Sequence, residues 1–186
     1  GATLLSAELV AKRLGILRDL VPSVKSIAML VNPTRPGVDA QKAQVQVGAQ
    51  TLGLSLQILE ASRAAEFEAA FKTASQYGAL IIAPDSFFLT ERTRIADLAT
   101  RYRIVTMYEL REYAEVGGLI SYGPRAADLY RQGGTLTAQV LMGKKPADLP
   151  VLQPTKFELV INLKTAKILG LNISPSLLGI ADELID

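Results

Sequence analysis

The amino-acid sequence predicts an α/β protein: a doubly wound, mainly parallel sheet with helices on both faces. Two observations carry this. Short, almost wholly apolar runs such as "SIAMLV" (26–31) and "ALIIAP" (79–84) have the pattern of strands covered on both sides. They alternate strictly with longer stretches of helical spacing, which requires right-handed crossovers between parallel strands.

The first helix is predicted from Ser6 to Leu20, where Leu9, Val10, Arg13, Leu14, Leu17 and Leu20 recur near the helical period, with Ser6 as cap and Pro22 as stop. A strand over 26–33 ends at Asn32-Pro33, and a helix runs from about Gly37 to Leu52. There follow a strand "LSLQILEA", a helix over 64–77, the strand "ALIIAP", a helix over 90–102 with Thr90 and Glu91 as its local cap, and the strand "IVTMYE". A short helix over 111–116 leads through Gly117-Gly118 into "LISYGP". Beyond Pro124 a long helix over 126–142 carries Gly133-Gly134, so it is expected either to pack closely or to bend there. A Pro-rich link over 145–154 precedes "KFELVINLKTA", a strand running into a helix.

With 186 residues, 49% of them hydrophobic, the chain suffices for one domain or two small lobes with a substantial core. Twenty basic and eighteen acidic side chains leave a formal charge of +2, which argues against nucleic acid or an anionic membrane as partner. The sequence has no cysteine and no histidine, so thiol nucleophiles, disulfides, imidazole bases and the commonest zinc ligands are excluded. No metal or cofactor is expected. No stretch reaches the roughly 18 apolar residues of a membrane span, and no basic region precedes an apolar run at the N-terminus.

Ligands of open α/β sheets bind beyond the carboxyl ends of the strands. The residues there are Asn32, Glu60, Asp85, Ser86, Tyr108, Glu109, Ser121, Tyr122 and Gly123. Amide, carboxylate, hydroxyl and phenol groups suit hydrogen bonding to a small polar molecule, with a tyrosine face for its apolar part. The stretch "PDSFF" contains neither a nucleophile elbow nor a phosphate-binding glycine loop. Catalysis would need Asp85 and Glu109 as a carboxylate pair. Plainer roles stand beside these: Asn32 as a turn residue, Asp85 and Ser86 as the start of a turn, and Phe87, Phe88, Tyr113 and Tyr130 as packing residues.

Three longer segments carry a resemblance: "AKRLGILRDLVPSVKSIAMLVNP", "PDSFFLTERTRIADLATRYRIVTMYELREYAEVGGLISYGP" and "LPVLQPTKFELVINLKTAKILGLNISPSLLGIADELI". Together they resemble ABC-transporter substrate-binding proteins of the tryptophan/tyrosine-binding type, which have the type I periplasmic-binding-protein fold. The resemblance implies a Rossmann-like three-layer lobe that holds an amino acid or aromatic-type solute in a cleft between two lobes. It further implies delivery to an ABC permease and a periplasmic or other extracytoplasmic location, with the signal peptide outside this chain. Most of the first lobe is expected to precede this chain. Residues 1–118 would then be the second lobe, 119–163 crossover segments and a helix packing on the first lobe, and 164–186 a last crossing and helix. The ligand-binding positions would be Asn32, Asp85, Ser86, Tyr108, Glu109, Ser121, Tyr122 and Gly123. With the first lobe absent, Leu129, Leu136, Val140 and Leu141 would leave an apolar face, and self-association is expected. A ligand-sensing domain of a regulator or receptor uses the same fold and is the alternative.

Overall fold

The computed structural model describes residues 6–150, 154 and 156–186. Its seven strands are β1 (Ser26–Val31), β2 (Ser55–Glu60), β3 (Ala79–Ile82), β4 (Thr106–Tyr108), β5 (Ile120–Pro124), β6 (Phe157–Asn162) and β7 (Glu183–Ile185). They form one sheet in the order β2-β1-β3-β4-β5-β6-β7. Every neighbouring pair is parallel except β5 with β6, where the chain runs back against itself. The helices are α1 (Ser6–Leu20), α2 (Val38–Thr51), α3 (Phe67–Ala74), α4 (Ser86–Thr90), α5 (Arg92–Arg101), α6 (Arg111–Glu115), α7 (Ala126–Leu141), α8 (Leu163–Leu169) and α9 (Pro175–Gly179).

Alternation along the strands builds two cores. Ile27, Met29, Val31 and Ile81 face one side, against Leu14 and Leu17 of α1, Val45 and Ala49 of α2, and Leu177 of α9. Ala28, Leu30, Leu80 and Ile82 face the other, against Phe67 and Phe71 of α3, Phe88 of α4, and Ile95 and Leu98 of α5. Each of the larger apolar side chains contributes roughly 1.5–3 kcal/mol when fully buried, and an unpaired polar group on either face would be costly. Phe67, Phe87 and Phe88 stack in one aromatic cluster with ring centroids 5.5–5.8 Å apart.

Several boundaries differ from the sequence reading. The segment over 90–102 begins earlier: Asp85 caps α4, Glu91 follows, and α5 starts at Arg92 with no side-chain cap from Thr90 or Glu91. Residues 64–66 are a 3₁₀ turn ahead of α3. The edge strand β7 was not anticipated, because only three residues with little burial define it. Ser6 opens α1, and its capping role lies outside the described side chains, as does Leu129.

The long helix α7 is continuous through Gly133-Gly134, and no neighbouring atom stands where a Cβ would be at either glycine. Close packing therefore does not account for the pair. α7 makes few contacts with the rest of the molecule. Leu141 and Met142 are 83% and 76% exposed, Val140 is exposed and Leu136 half-buried. Tyr130, expected as a packing residue, is 78% exposed because nothing described lies against that face. At the base of α7 the buried carboxylate of Glu158 on β6 accepts from Arg125 Nε at 2.9 Å and Arg111 Nη1 at 3.3 Å. Arg111 also reaches Glu183 of β7 at 2.7 Å, joining β6, β7 and α6.

Two glycines test this packing in opposite directions. A Cβ at Gly123 would strike the Glu109 backbone carbonyl, so Gly123→Ala should lower stability in urea unfolding by about 1–3 kcal/mol or more. Gly133→Ala meets no atom in mid-helix and should raise it by roughly 0.5–1 kcal/mol.

Candidate functional site

The strand order reverses direction between β1 and β3, and both strands end at the same edge, so the loops that follow them diverge and leave a crevice. Asn32 stands immediately after β1. Its Oδ1 accepts from the backbone N–H of Thr34 at 3.1 Å and from the Thr34 hydroxyl at 2.8 Å, while its Nδ2 donates to Asp85 Oδ2 at 3.3 Å. Asp85 follows β3. Its Oδ1 accepts from the N–H groups of Phe87 and Phe88 at 2.9 and 3.1 Å, so the carboxylate both caps α4 and ties the two loops together. Ser86 is exposed beside it at the first position of α4.

Glu109 follows β4 and, by alternation, points to the face opposite Tyr108. There it meets Arg13 of α1, with Arg13 Nη2 3.6 Å from Glu109 Oε1. Both side chains are buried, and Arg13 Nε donates to the backbone carbonyl of Tyr122 on β5 at 2.8 Å. Burial pushes the Glu109 carboxyl above its ordinary pKa, with the Arg13 and Arg35 guanidinium groups pulling the other way. The same burial lowers the pKa of Arg13, offset by Glu109. The two charges oppose one another's loss of hydration without cancelling it.

Two concavities meet at this edge. One of about 400 Å³ lies between α1 and α2 over the strand ends, with Arg13, Gln41, Val45, Ile81 and Glu109 among its walls. A neighbouring recess of about 270 Å³ is lined by Asp85, Ser86, Leu110 and Tyr113. Arg35 and Glu109 border both.

Asn32, Asp85, Ser86 and Glu109 are thus brought to one crevice. Tyr108 and Ser121 are not. Tyr108 is fully buried and its ring stacks on Tyr113 at 4.6 Å, which corrects the expectation of a ligand contact: this strand position faces the α5–α6 core. Burial raises the pKa of its phenol strongly, and the Thr106 hydroxyl offsets this only weakly. Ser121, paired with Tyr108 across β4 and β5, is likewise buried, with no hydrogen-bond partner for its hydroxyl among the described residues. Tyr122 is half-buried with its ring 6.2 Å from that of Phe157, and only its backbone carbonyl reaches Arg13. Gly123 is needed because the Glu109 backbone passes against it. Arg13, Arg35 and Gln41 were missed, since all three precede or follow a strand end by several residues; the signal for Arg13 was a cation within the apolar spacing of α1. Among the described residues no group of acidic side chains could hold a metal ion, and no helix is long and apolar enough to cross a membrane.

A mainly parallel sheet of this order, with polar groups gathered at the carboxyl edge, has the type I periplasmic-binding-protein-like architecture. The chain belongs to the ABC transporter substrate binding protein family, whose sequence model matches residues 3–185. A conserved domain protein from Vibrio cholerae is similar in structure, with a TM-score of 0.88 and 23% identity over 94% of this chain and 60% of its own. An ABC domain from Streptococcus pneumonia in complex with L-Trp gives 0.87 and 24%, over 99% of this chain and 61% of its own. A LacI family transcriptional regulator from Bifidobacterium animalis is more distant at 0.65 and 14%, over 84% of this chain and 60% of its own. The chain therefore spans about three fifths of the length of these structures. No curated protein matches it.

The Arg13–Glu109 pair gives a pH-dependent test. Replacing Arg13 by Met removes a cation that holds the Glu109 pKa down, so that pKa rises further above the unfolded value near 4.3. A carboxyl raised in the fold contributes fully below the unfolded pKa and loses that contribution as pH climbs through the folded pKa. The stability deficit of Arg13→Met should therefore grow as pH rises from about 4.5 to about 7.5 in urea titrations. In a double-mutant cycle, Arg13→Met with Glu109→Leu should cost less than the sum of the single changes; simple additivity would show that the pair is uncoupled.

Proposed function

We propose that this chain supplies a ligand-gripping lobe of the solute-binding component of an ABC importer. It works outside the cytoplasm, binds a small organic solute and presents it to a membrane permease. The observation that carries this reading is the convergence of Asn32, Asp85 and Glu109 on one crevice at the point where strand order reverses. Family membership supports it. An amino acid or aromatic-type solute is the ligand class, in keeping with the L-Trp bound by the Streptococcus domain. In this reading residues 1–118 form the body of the lobe, 119–163 carry the crossovers and α7, and 164–186 close the sheet edge.

Binding without chemical change fits the side chains present. The carboxylate of Asp85 is engaged by two backbone N–H groups and Asn32, and that of Glu109 faces Arg13, so neither stands free as a general base. A regulator's sensing domain fits less well, given the lower structural similarity of the regulator.

Two measurements test the reading. Thermal-shift titration of the full-length protein with amino acids and aromatic acids should raise the melting temperature with the logarithm of ligand concentration for at least one of them. Asp85→Ala, which removes the α4 cap and unties the two loops, should weaken that shift while lowering stability by about 1–2 kcal/mol. The 186 residues alone should self-associate through the apolar face of α7, eluting in size-exclusion chromatography above the 20.0 kDa monomer. A monomer at all concentrations would remove that role for α7.

A further inference from the structure

The cavity between α1 and α2 holds two polar atoms with unmet demands. Arg13 is only 5% exposed, and its Nη2 has no hydrogen-bond partner among the described residues, the Glu109 oxygen at 3.6 Å being too far to serve. Gln41 Oε1 is buried at the same cavity and is also unpartnered. A buried donor and a buried acceptor left open are unfavourable in an empty protein and favourable to whatever supplies their complements. The remaining wall is largely apolar, with Val10, Met29, Val45 and Ile81 around a space of about 400 Å³, within the size range of small-molecule sites.

Charge decides what enters. Arg13, Arg35 and Glu109 are the charged side chains among the described residues that line the cavity, a net positive set whether Glu109 is ionised or neutral. Asp85 lies in the neighbouring recess with both oxygens already accepting hydrogen bonds. A ligand ammonium would find one carboxylate already shared with a guanidinium, whereas a ligand carboxylate would find an open N–H of Arg13 and the guanidinium of Arg35.

We infer that the cavity takes an aromatic monocarboxylate without an α-ammonium group, its carboxylate on Arg13 and Arg35, its ring among the apolar wall residues, and a ring hydroxyl or N–H on Gln41 Oε1. This rests on the solute-binding reading and specifies its ligand.

Isothermal titration calorimetry on the full-length protein compares 4-hydroxyphenylacetate and indole-3-acetate with L-tyrosine and L-tryptophan. The acids should bind at least about tenfold more tightly than the matching amino acids. Arg35→Gln, on a half-buried loop residue, should weaken acid binding by about tenfold with an unchanged circular-dichroism spectrum, and Gln41→Leu should weaken 4-hydroxyphenylacetate more than phenylacetate. Amino acids binding as tightly as the acids would overturn this inference and leave the solute-binding reading intact. Failure of both sets, with a different solute raising the melting temperature, would also overturn only the inference. If no solute in a broad thermal-shift screen has any effect, both fall.

Discussion

Helices close both faces of the sheet over β1, β3 and β4, and that closure governs where chemistry can sit. Apart from Ser26 and Thr106, the side chains within these strands point into one of two apolar cores, so the hydrogen-bonding groups of the site stand where the strands have ended. The one-residue alternation then sorts neighbours sharply. Met107 and Glu109 share one face and Tyr108 takes the other, which is why adjacent polar residues at the end of β4 have different fates. The glutamate reaches the crevice, while the tyrosine becomes a core residue stacked on Tyr113.

The alternating pattern made the order of elements readable from the sequence, because buried parallel strands such as "SIAMLV" have few other uses. The N-terminal helix was read to the residue because Pro22 and six spaced side chains bound it on one side and along one face. What escaped was whatever depends on contacts between distant segments. Asp85 as the cap of a separate α4 could be suspected from an acid before Ser86, but its bond to Asn32 joins residues 53 apart in sequence. Tyr108 was placed at the site by its position at a strand end, and only the phase of the pleat, fixed by pairing with β3 and β5, turns it inward. Arg13 illustrates the reverse case. Its place in the apolar stripe of α1 marked a buried cation, yet its partners, Glu109 and the Tyr122 carbonyl, lie about a hundred residues away, and no local pattern announces them.

The second half of the molecule obeys a different balance. β5 and β6 pair antiparallel, so the chain leaves the sheet for α7 and returns to the strand position alongside. The return is held by ions: Glu158, where the chain comes back, sits buried against Arg125, where it leaves, and against Arg111 of α6. Glu158 takes both guanidinium groups on Oε2, at 2.9 and 3.3 Å, while its buried Oε1 has no hydrogen-bond partner among the described residues. The contact of Arg13 with Glu109 is looser, its closest atoms 3.6 Å apart.

Arg13 stands between the cavity and β5. Its Nε is committed to the carbonyl of Tyr122 in β5, while its Nη2, buried beside Glu109 at the cavity wall, has no hydrogen-bond partner among the described residues. The guanidinium is planar and rigid, so its two ends cannot move independently. A group that draws Nη2 toward the cavity must either carry the β5 backbone with it or stretch a 2.8 Å hydrogen bond in a low-dielectric setting, where such bonds are strong. The strand it would pull is the one next to which the chain reverses direction and from which α7 departs, with Gly123 packed against the Glu109 backbone at the same point. The cavity wall and the β5 backbone at Tyr122 thus share one planar guanidinium.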